Sequence, residues 1–254
     1  MTTGKSITAD PVIRHLLDLC RRSERTGIPQ YSGFLSPLEQ DDFLRCPEAA
    51  GFSFCFTGGH EAAERRILAT SKPEGDMAPE IPISVISVKP KSEKYAEELT
   101  HRDYLGAILG LGIERSLVGD ILIRDKQCWF FCLSSAADLI ASSLETVRRT
   151  AVRAEIVSSD IPELRPRYAS LRFNVASERL DAVTAAFAGL PRAQAGQLFS
   201  AEKVFVNGRI IQDKGARLKE GDILSVRGFG KAVYDGIEHE TKKNRLWVSL
   251  RKYV

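Results

Sequence analysis

The sequence predicts an α+β protein made of three successive segments. The first is mostly helical, because apolar residues recur at helical spacing after Pro11. The second alternates strands and helices in an order typical of an antiparallel sheet with two helices on one face. The third has two short helices before a hairpin whose Asn207-Gly208 turn is among the strongest short-range hairpin signals.

Bulk properties favour a cytoplasmic protein without a membrane segment. The 254 residues suffice for two or three domains, and no apolar run approaches the roughly 18 residues of a membrane span. The N-terminus lacks the apolar region of a secretory signal. Five irregularly placed cysteines indicate a reducing compartment. Cys128 and Cys132 are predicted in a buried strand, too far apart to share one metal ion, so no metal or cofactor is expected.

Charge is distributed unevenly along the chain. The net charge is +3, but residues 178–254 hold 14 Lys+Arg against 9 Asp+Glu, and the rest is slightly acidic. A basic module at one end of a near-neutral chain is typical of a protein that meets phosphate, although a solvated basic face would have the same composition.

Residues 1–76 form the predicted N-terminal segment. Its expected elements are a helix after Pro11, a helix from Ser36, a strand over Phe52–Phe56 and, after Gly58-Gly59, a helix over residues 61–69. A stretch rich in Pro and Gly over residues 72–80 predicts a linker.

Residues 77–160 form the predicted middle domain. The expected order is a strand over residues 81–88, a helix over 100–111, strands over 120–124 and 128–133, a helix over 134–147 and a strand over 151–157. That order predicts a ferredoxin-like, RRM-like sandwich. The aromatic-rich motifs with which RRM sheets stack bases are absent from the sequence. A second linker is predicted over residues 161–177.

Residues 178–254 contain several short sequence motifs in a fixed order. Arg179-Leu180-Asp181 opens a helix, and Pro191-Arg192 starts a second helix after Gly189. Val204–Gly208 reads as a strand and turn, and Gly221–Val226 as a turn and strand, with a further pair of strands beyond. In that order the landmarks resemble the S4 domain family. One departure is Pro191, where the family usually has Ser.

The S4 resemblance implies that this segment binds structured RNA. The candidate RNA-binding residues are basic or amide side chains near the second helix and the turns: Arg179, Arg192, Gln194, Lys203, Asn207, Lys214, Arg217, Arg227 and Lys231. Such groups supply phosphate and 2′-OH contacts, and the positive end of a helix adds to them. Asp181 is expected to be structural.

Two upstream segments carry a second resemblance. Residues 57–66 and residues 101–123 are similar to signatures of the YlmH family, although that family more often has Tyr and Gly at the positions of His60 and Ala62. The resemblance spans nearly the whole chain. It implies a non-catalytic protein of bacterial or plastid cytosolic type that associates with the large ribosomal subunit and is linked to rescue of stalled peptidyl-tRNA complexes. In photosynthetic lineages, some members are described as photosystem II S4-domain proteins.

The partners implied are rRNA and tRNA, with the chain acting as a monomer. His101 and Arg102, at the start of a predicted helix, are candidates for phosphate contact or for simple capping. Two alternatives remain open at this stage. An RNA-modifying enzyme, of the pseudouridine synthase or methyltransferase kind that carries S4 domains, would need an unrecognised upstream active site. An assembly factor would use its N-terminal segment to bind protein.

Overall fold

A computed structural model describes residues 10–60, 62–70, 81–158, 167–241 and 244–253. The chain divides into two compact units, Met1–Arg165 and Pro166–Val254. Both combine helices with antiparallel sheet, which confirms the α+β class. The predicted linker over residues 72–80 lies outside the described residues. No helix in the described part of the chain is long and apolar enough to cross a membrane.

Two helices open the first unit as predicted. Asp10 caps α1 (Pro11–Thr26) by accepting a hydrogen bond from the Val12 backbone N–H at 2.7 Å, and Gly27 ends it in the left-handed conformation. Ser36 and Glu39 form a capping box at the start of α2 (Pro37–Leu44). The apolar face of α1 is buried with Phe43 of α2. These ends lie where the sequence predicts them, since capping depends on neighbouring residues.

The predicted helix over residues 61–69 is wrong where the structure describes it. Residues 62–66 form a loop, and Ile67–Thr70 is strand β2, antiparallel to β1 (Phe54–Thr57). Ile67, Leu68 and Ala69 are all buried. Tertiary contacts override the local helix propensity here, because the strand has core on both sides.

A five-stranded antiparallel sheet forms the rest of the first unit. Its elements are β3 (Ile83–Pro90), α3 (His101–Gly110), β4 (Val118–Arg124), β5 (Gln127–Leu133), α4 (Ser134–Ser143), β6 (Thr146–Val147) and β7 (Thr150–Val157). The strand order is β4-β5-β3-β7-β6. The predicted helix over 134–147 ends early, because Val147 is buried and a turn at Arg148, with φ +52°, pairs it with Thr150.

Each face of this sheet packs against a different part of the chain. Helices α3 and α4 cover one face, where Cys128 and Cys132 are buried and burial raises the pKa of the Cys132 thiol to about 12. The opposite face packs Val85, Trp129 and Phe131 against residues of the N-terminal segment, including Phe34 and Ile67. The segments 1–76 and 77–160 therefore share one compact unit, and the predicted boundary between them does not separate two cores.

The second unit is a six-stranded antiparallel sheet with a helix pair on one face. Its elements are β8 (Tyr168–Val175), α5 (Leu180–Ala188), α6 (Arg192–Ser200), β9 (Val204–Val206), β10 (Arg209–Ile210), β11 (Ile223–Val226), β12 (Gly230–Glu240) and β13 (Leu246–Tyr253). The strand order is β10-β9-β11-β12-β13-β8. The extra strand pair is confirmed as β12 and β13.

The predicted linker over residues 161–177 is wrong where the structure describes it, from residue 167 onward, because Tyr168–Val175 forms strand β8. Its eight residues pair with β13 along their whole length, from Tyr168 with Tyr253 to Val175 with Leu246. Val175 is buried, and Leu171 and Phe173 pack on the same core. The strand was not predicted because the partner that pairs with it lies some 80 residues further along the chain, a distance that local patterns do not report.

Candidate RNA-binding surface

The two helices of the second unit are joined by one buried carboxylate. Asp181, in the first turn of α5, is only 8% exposed. It accepts hydrogen bonds from Arg192 Nη2 at 2.8 Å and Arg192 Nε at 3.1 Å. Arg179 adds hydrogen bonds from Nε at 3.2 Å and Nη2 at 3.4 Å. One carboxylate therefore holds two guanidinium groups whose outer edges remain about half exposed.

Asp181, Arg179 and Arg192 form a triad whose ionic state follows from the hydrogen bonds between them. Burial alone would raise the pKa of Asp181, but the hydrogen bonds from Arg192 and Arg179 outweigh it and hold that pKa below its usual value. The Asp181 hydrogen bond in turn raises the pKa of Arg192. All three groups are charged at neutral pH, with a net charge of +1. The expected structural role of Asp181 thus includes fixing the orientation of both arginines.

Two further predicted residues lie beside this triad. The loop 213–217 runs along the start of α5, where Leu180 N–H donates to the Ala216 carbonyl at 2.7 Å and Asp181 N–H to the Lys214 carbonyl at 3.2 Å. Arg217 forms a β-bridge with Arg179. Its guanidinium lies 3.8 Å from Glu178. We call Arg179, Arg192, Lys214 and Arg217 the basic cluster.

Lys214 also approaches α6. A Cβ atom placed on Gly196 would lie 3.5 Å from Lys214 Nζ, so the ammonium sits directly over that glycine. Gln194 is exposed in the first turn of α6, which begins after Pro191 without a side-chain cap. Uncapped backbone N–H groups and the helix dipole favour an anion at such an end. Gln194 therefore lies in the same first turn of α6 as Arg192, which belongs to the basic cluster.

The remaining predicted residues of this unit lie on the strands and turns. Lys203 is exposed, and its carbonyl accepts a hydrogen bond from the Arg227 N–H at 2.9 Å. The Arg227 guanidinium lies 4.8 Å from the centroid of the Phe205 ring, and Lys231 Nζ lies 4.3 Å from that of Tyr253. Arg227 and Lys231 therefore lie over aromatic rings carried by the strands, whereas the basic cluster belongs to the helix starts and the loop 213–217.

The Asn207 side chain has a structural role in the turn between β9 and β10. Its backbone is left-handed, with φ +50°, as the turn requires. Its side-chain amide donates to Asp222 at 2.8 Å, and its side-chain oxygen accepts from the Ile223 N–H at 2.9 Å. Both ends of the amide thus connect the turn to the start of β11. RNA contact by Asn207 stays a prediction.

In the first unit, His101 and Arg102 are exposed at the N-terminus of α3. Thr100 and Asp103 form the capping box there, so His101 is not needed as a cap. Partial desolvation, and then the positive charge of Arg115, lower the pKa of His101, which favours a neutral imidazole. Arg102 is consequently the stronger candidate of the two for contact with phosphate.

Sequence reasoning missed a second carboxylate hub, Asp120 on β4. It accepts hydrogen bonds from the backbone N–H groups of Glu64 at 2.7 Å and Arg65 at 3.0 Å, and His60 Nε2 lies 3.3 Å away. Arg65 donates to the carbonyls of Val118 and Phe34 at 3.1 and 2.7 Å. The two signature segments, residues 57–66 and 101–123, are thereby brought together. The available signal was that both segments resemble signatures of one family, but part of the first was interpreted as a helix.

Comparisons with known proteins find matches in both units of the chain. A family model described as "Putative RNA-binding domain in YlmH" matches residues 80–160, and the S4 domain model matches residues 178–224. The chain is 31% identical over 225 residues to the "Ribosome-associated protein quality control protein P2" of Bacillus subtilis (strain 168), covering 86% of this chain and 85% of that protein.

A solved structure described as "Cell division protein ylmH from Streptococcus pneumoniae" is 22% identical, with a TM-score of 0.49, over 62% of this chain and 96% of its own. The sequence relative spans most of both proteins, and the two family models follow one another in the expected order. The chain therefore belongs to the YlmH family and is an RNA-binding protein with an S4 domain.

Proposed function

We propose that this protein binds structured rRNA, and tRNA beside it, on the large ribosomal subunit, and that it acts in quality control of stalled peptidyl-tRNA complexes. The observation that carries this proposal is the basic cluster, in which Asp181 orients Arg179 and Arg192 on the S4 helix pair. The name of the Bacillus subtilis relative supports the ribosome as the place of action. We further propose a cytoplasmic monomer.

The chemistry of the basic cluster suits folded RNA. Proteins recognise double-stranded RNA mainly through phosphates and 2′-OH groups, because the deep major groove is closed to side chains. A guanidinium held on one edge by a carboxylate presents its other N–H groups in a fixed plane, which suits two-point contact with phosphate. Lys214 and Arg217 add charge without such fixation. This combination favours binding by shape and charge over reading of base sequence.

We propose that the first unit makes secondary RNA contacts through a ferredoxin-like sandwich. The strand order β4-β5-β3-β7, with α3 and α4 on one face, supports that fold. Arg102 and His101 lie at the exposed start of α3, where an anion would meet the positive helix end. In this proposal residues 77–160 and 178–254 are the two RNA-binding regions, and Phe34 and Ile67 of the N-terminal segment pack on the opposite face of the first sheet.

We propose that the protein is not an enzyme. The polar residues of its signature segments are engaged in bracing: Asp120 accepts from the backbone of residues 64 and 65, and Arg65 donates to two carbonyls. Groups held in that way organise a loop, and their hydrogen-bonding capacity is used within the fold. In this proposal the protein acts by binding RNA and does not catalyse a reaction on it.

The test is co-sedimentation with ribosomal subunits, combined with crosslinking in cells and sequencing of the bound RNA. Wild type should sediment with the large subunit and crosslink to rRNA. Replacing Arg192 and Lys203 with Ala should lower subunit affinity by roughly tenfold or more, because two contacts with phosphate are lost, and it should also reduce the salt dependence of binding. Arg45→Ala, which removes an exposed charge directly after α2, is the control. Sedimentation of the double variant equal to wild type would exclude Arg192 and Lys203 as RNA contacts.

A further inference from the structure

The six-stranded sheet of the second unit has two different faces. Alternate residues along β13, such as Val248 and Leu250, are buried against α5 and α6. The intervening residues, including Arg251 and Tyr253, point away from those helices, because successive side chains of a strand lie on opposite faces. The described residues of this unit place no helix over that second face, which we call the outer face.

Five residues on the outer face are aligned in one row across the strands. Phe205 of β9 pairs with Ser225 of β11, and Ser225 pairs with Lys231 of β12. The same register places Lys231 beside Tyr253 of β13, and Tyr253 pairs with Tyr168 of β8. Neighbouring strands lie about 4.8 Å apart, so the row extends roughly 19 Å across the sheet.

Every aromatic ring in this row has a cation over it. Arg227 lies 4.8 Å from the Phe205 centroid, Lys231 4.3 Å from that of Tyr253, and Arg251 5.0 Å from that of Tyr168. The two tyrosine rings are themselves 5.0 Å apart. We call these aromatic and cationic residues, together with Ser225, the aromatic row. All three rings are partly exposed.

This composition is unusual for a face that only meets water. Solvated sheet faces generally carry polar side chains opposite the buried apolar ones, whereas here partly exposed rings lie among basic groups across five strands. Rings offer flat apolar area to a base, and cations beside them neutralise the phosphates that accompany it. Single-stranded RNA bound on a sheet is held by this combination of groups.

We propose that the aromatic row binds a single-stranded RNA segment by stacking unpaired bases on Tyr168, Tyr253 and Phe205. The inference rests on the proposed RNA-binding function and adds a second ligand class, unpaired nucleotides, at a surface opposite the helix pair. Arg227, Lys231 and Arg251 lie over these rings in the free protein, and in the complex they move aside and contact the phosphates. The strand runs across the sheet, because the rings succeed one another in that direction.

The charge of the row favours RNA over a protein partner. A second copy of the chain would bring the same cations against themselves, which costs free energy at a desolvated interface. Asp235 pairs with Arg251 at 2.9 Å, which holds that guanidinium beside the Tyr168 ring. A polyanion that also carries flat bases matches both the cations and the rings of the row.

The test measures fluorescence anisotropy of the full-length protein with a labelled oligouridine, which has no structure, and separately with a labelled RNA hairpin. Tyr168→Ala with Tyr253→Ala should weaken oligouridine binding roughly tenfold or more, since each stacked base contributes appreciably. Tyr168→Phe with Tyr253→Phe keeps both rings and should bind within twofold of wild type. Hairpin binding should stay unchanged in both variants.

A measurement on unmodified protein accompanies the variants, in case the Ala pair weakens the edge of the sheet. Irradiation with an oligomer containing 4-thiouridine should attach it to peptides that hold residue 168, 205 or 253. Undiminished oligouridine binding by the Ala pair, or crosslinks confined to other peptides, would overturn the proposal. So would a concentration-dependent dimer that the Ala pair abolishes. If the wild-type protein does not bind the hairpin, the proposed function itself is refuted.

Discussion

Asp181 and Arg192 form a two-point ion pair between the helices of the second unit, with Nη2 and Nε of the arginine 2.8 and 3.1 Å from the two carboxylate oxygens. Asp181 lies in the first turn of α5, and Arg192 is the first residue of α6. The pair therefore sets the orientation of a surface cation by means of a buried group. Arg179 shares the same carboxylate.

Asp181→Asn tests whether this carboxylate positions the arginines for RNA. Removing a negative charge beside a phosphate-binding surface would, on charge alone, strengthen RNA binding. We expect the opposite, a loss of roughly three- to tenfold in affinity for a structured RNA, because the neutral amide no longer holds two guanidinium groups. Fluorescence anisotropy at several salt concentrations measures it. Asp41→Asn, which also removes a carboxylate paired with an arginine, is the control on α2. Tighter binding by Asp181→Asn would contradict the positioning role.

The stability of the second unit should depend on the ionisation of Asp181. Its pKa is lower in the folded chain than the value of about 3.9 expected when unfolded, so it stabilises the fold above that value. This stabilisation is lost as the pH falls through the folded pKa. The destabilisation caused by Asp181→Asn should accordingly be present at pH 7 and shrink towards pH 3.

Urea unfolding followed by tryptophan fluorescence measures this effect in the correct unit. The chain has two tryptophans, so a Trp129→Phe background leaves Trp247 on β13 as the reporter. At pH 7 we expect a loss of about 1.5 to 3 kcal/mol for Asp181→Asn, the range for hydrogen bonds to charged groups. If the free energies of unfolding of variant and parent differ by the same amount over the whole pH range, ionisation of Asp181 is not the cause of the destabilisation.

Asp120→Ala should destabilise the first unit, because it leaves the backbone N–H groups of Glu64 and Arg65 without their acceptor. Each unsatisfied donor costs about 1 to 3 kcal/mol, so we expect a total of about 2 to 6 kcal/mol for the two donors. Thermal unfolding by circular dichroism measures it. Asp138→Ala, an exposed position on α4, should change stability by less than about 0.5 kcal/mol. Equal effects of the two substitutions would show that Asp120 is not a hub.

Gly58→Ala and Gly106→Ala should shift stability in opposite directions. A Cβ atom at Gly58 would lie 2.3 Å from the Ala63 Cβ and 2.5 Å from the Arg65 carbonyl oxygen, so the loop 62–66 must move. We expect a loss of more than about 2 kcal/mol. A Cβ atom at Gly106, in α3, meets nothing within 4 Å. That substitution should stabilise by about 0.5 to 1 kcal/mol, the difference between Ala and Gly within a helix. Paired thermal melts compare the two variants, and a stabilised Gly58→Ala would contradict the close packing of the loop.

Several elements could be predicted because their determinants are close in sequence. Asp10 caps α1, Ser36 and Glu39 enclose the start of α2, and Asn207-Gly208 turns β9 into β10. The S4 landmarks are likewise local, so the helix pair and the candidates Arg179 and Arg192 could be named together. Their common dependence on Asp181 could not, because Asp181 and Arg192 belong to different helices.

Other features depend on partners distant in the chain. Residues 62–69 have the composition of a helix but form a loop and a strand, since Asp120 accepts hydrogen bonds from the backbone at 64 and 65. Residues 168–175 resemble a linker alone and become an edge strand once β13 is beside them. The aromatic row joins residues 168, 205, 225, 231 and 253, which only the register of the sheet aligns.

For this protein the sequence alone determined the family, the capped starts of α1 and α2, the Asn207-Gly208 turn and the chemical types of the RNA-binding side chains, because motifs, caps and turns depend on residues a few positions apart. The tertiary structure decided which segments share a core, which strand completes the second sheet and which carboxylate orients the arginines. Those outcomes depend on burial and pairing between residues distant in the chain, where a buried charge or strand edge must find its partner.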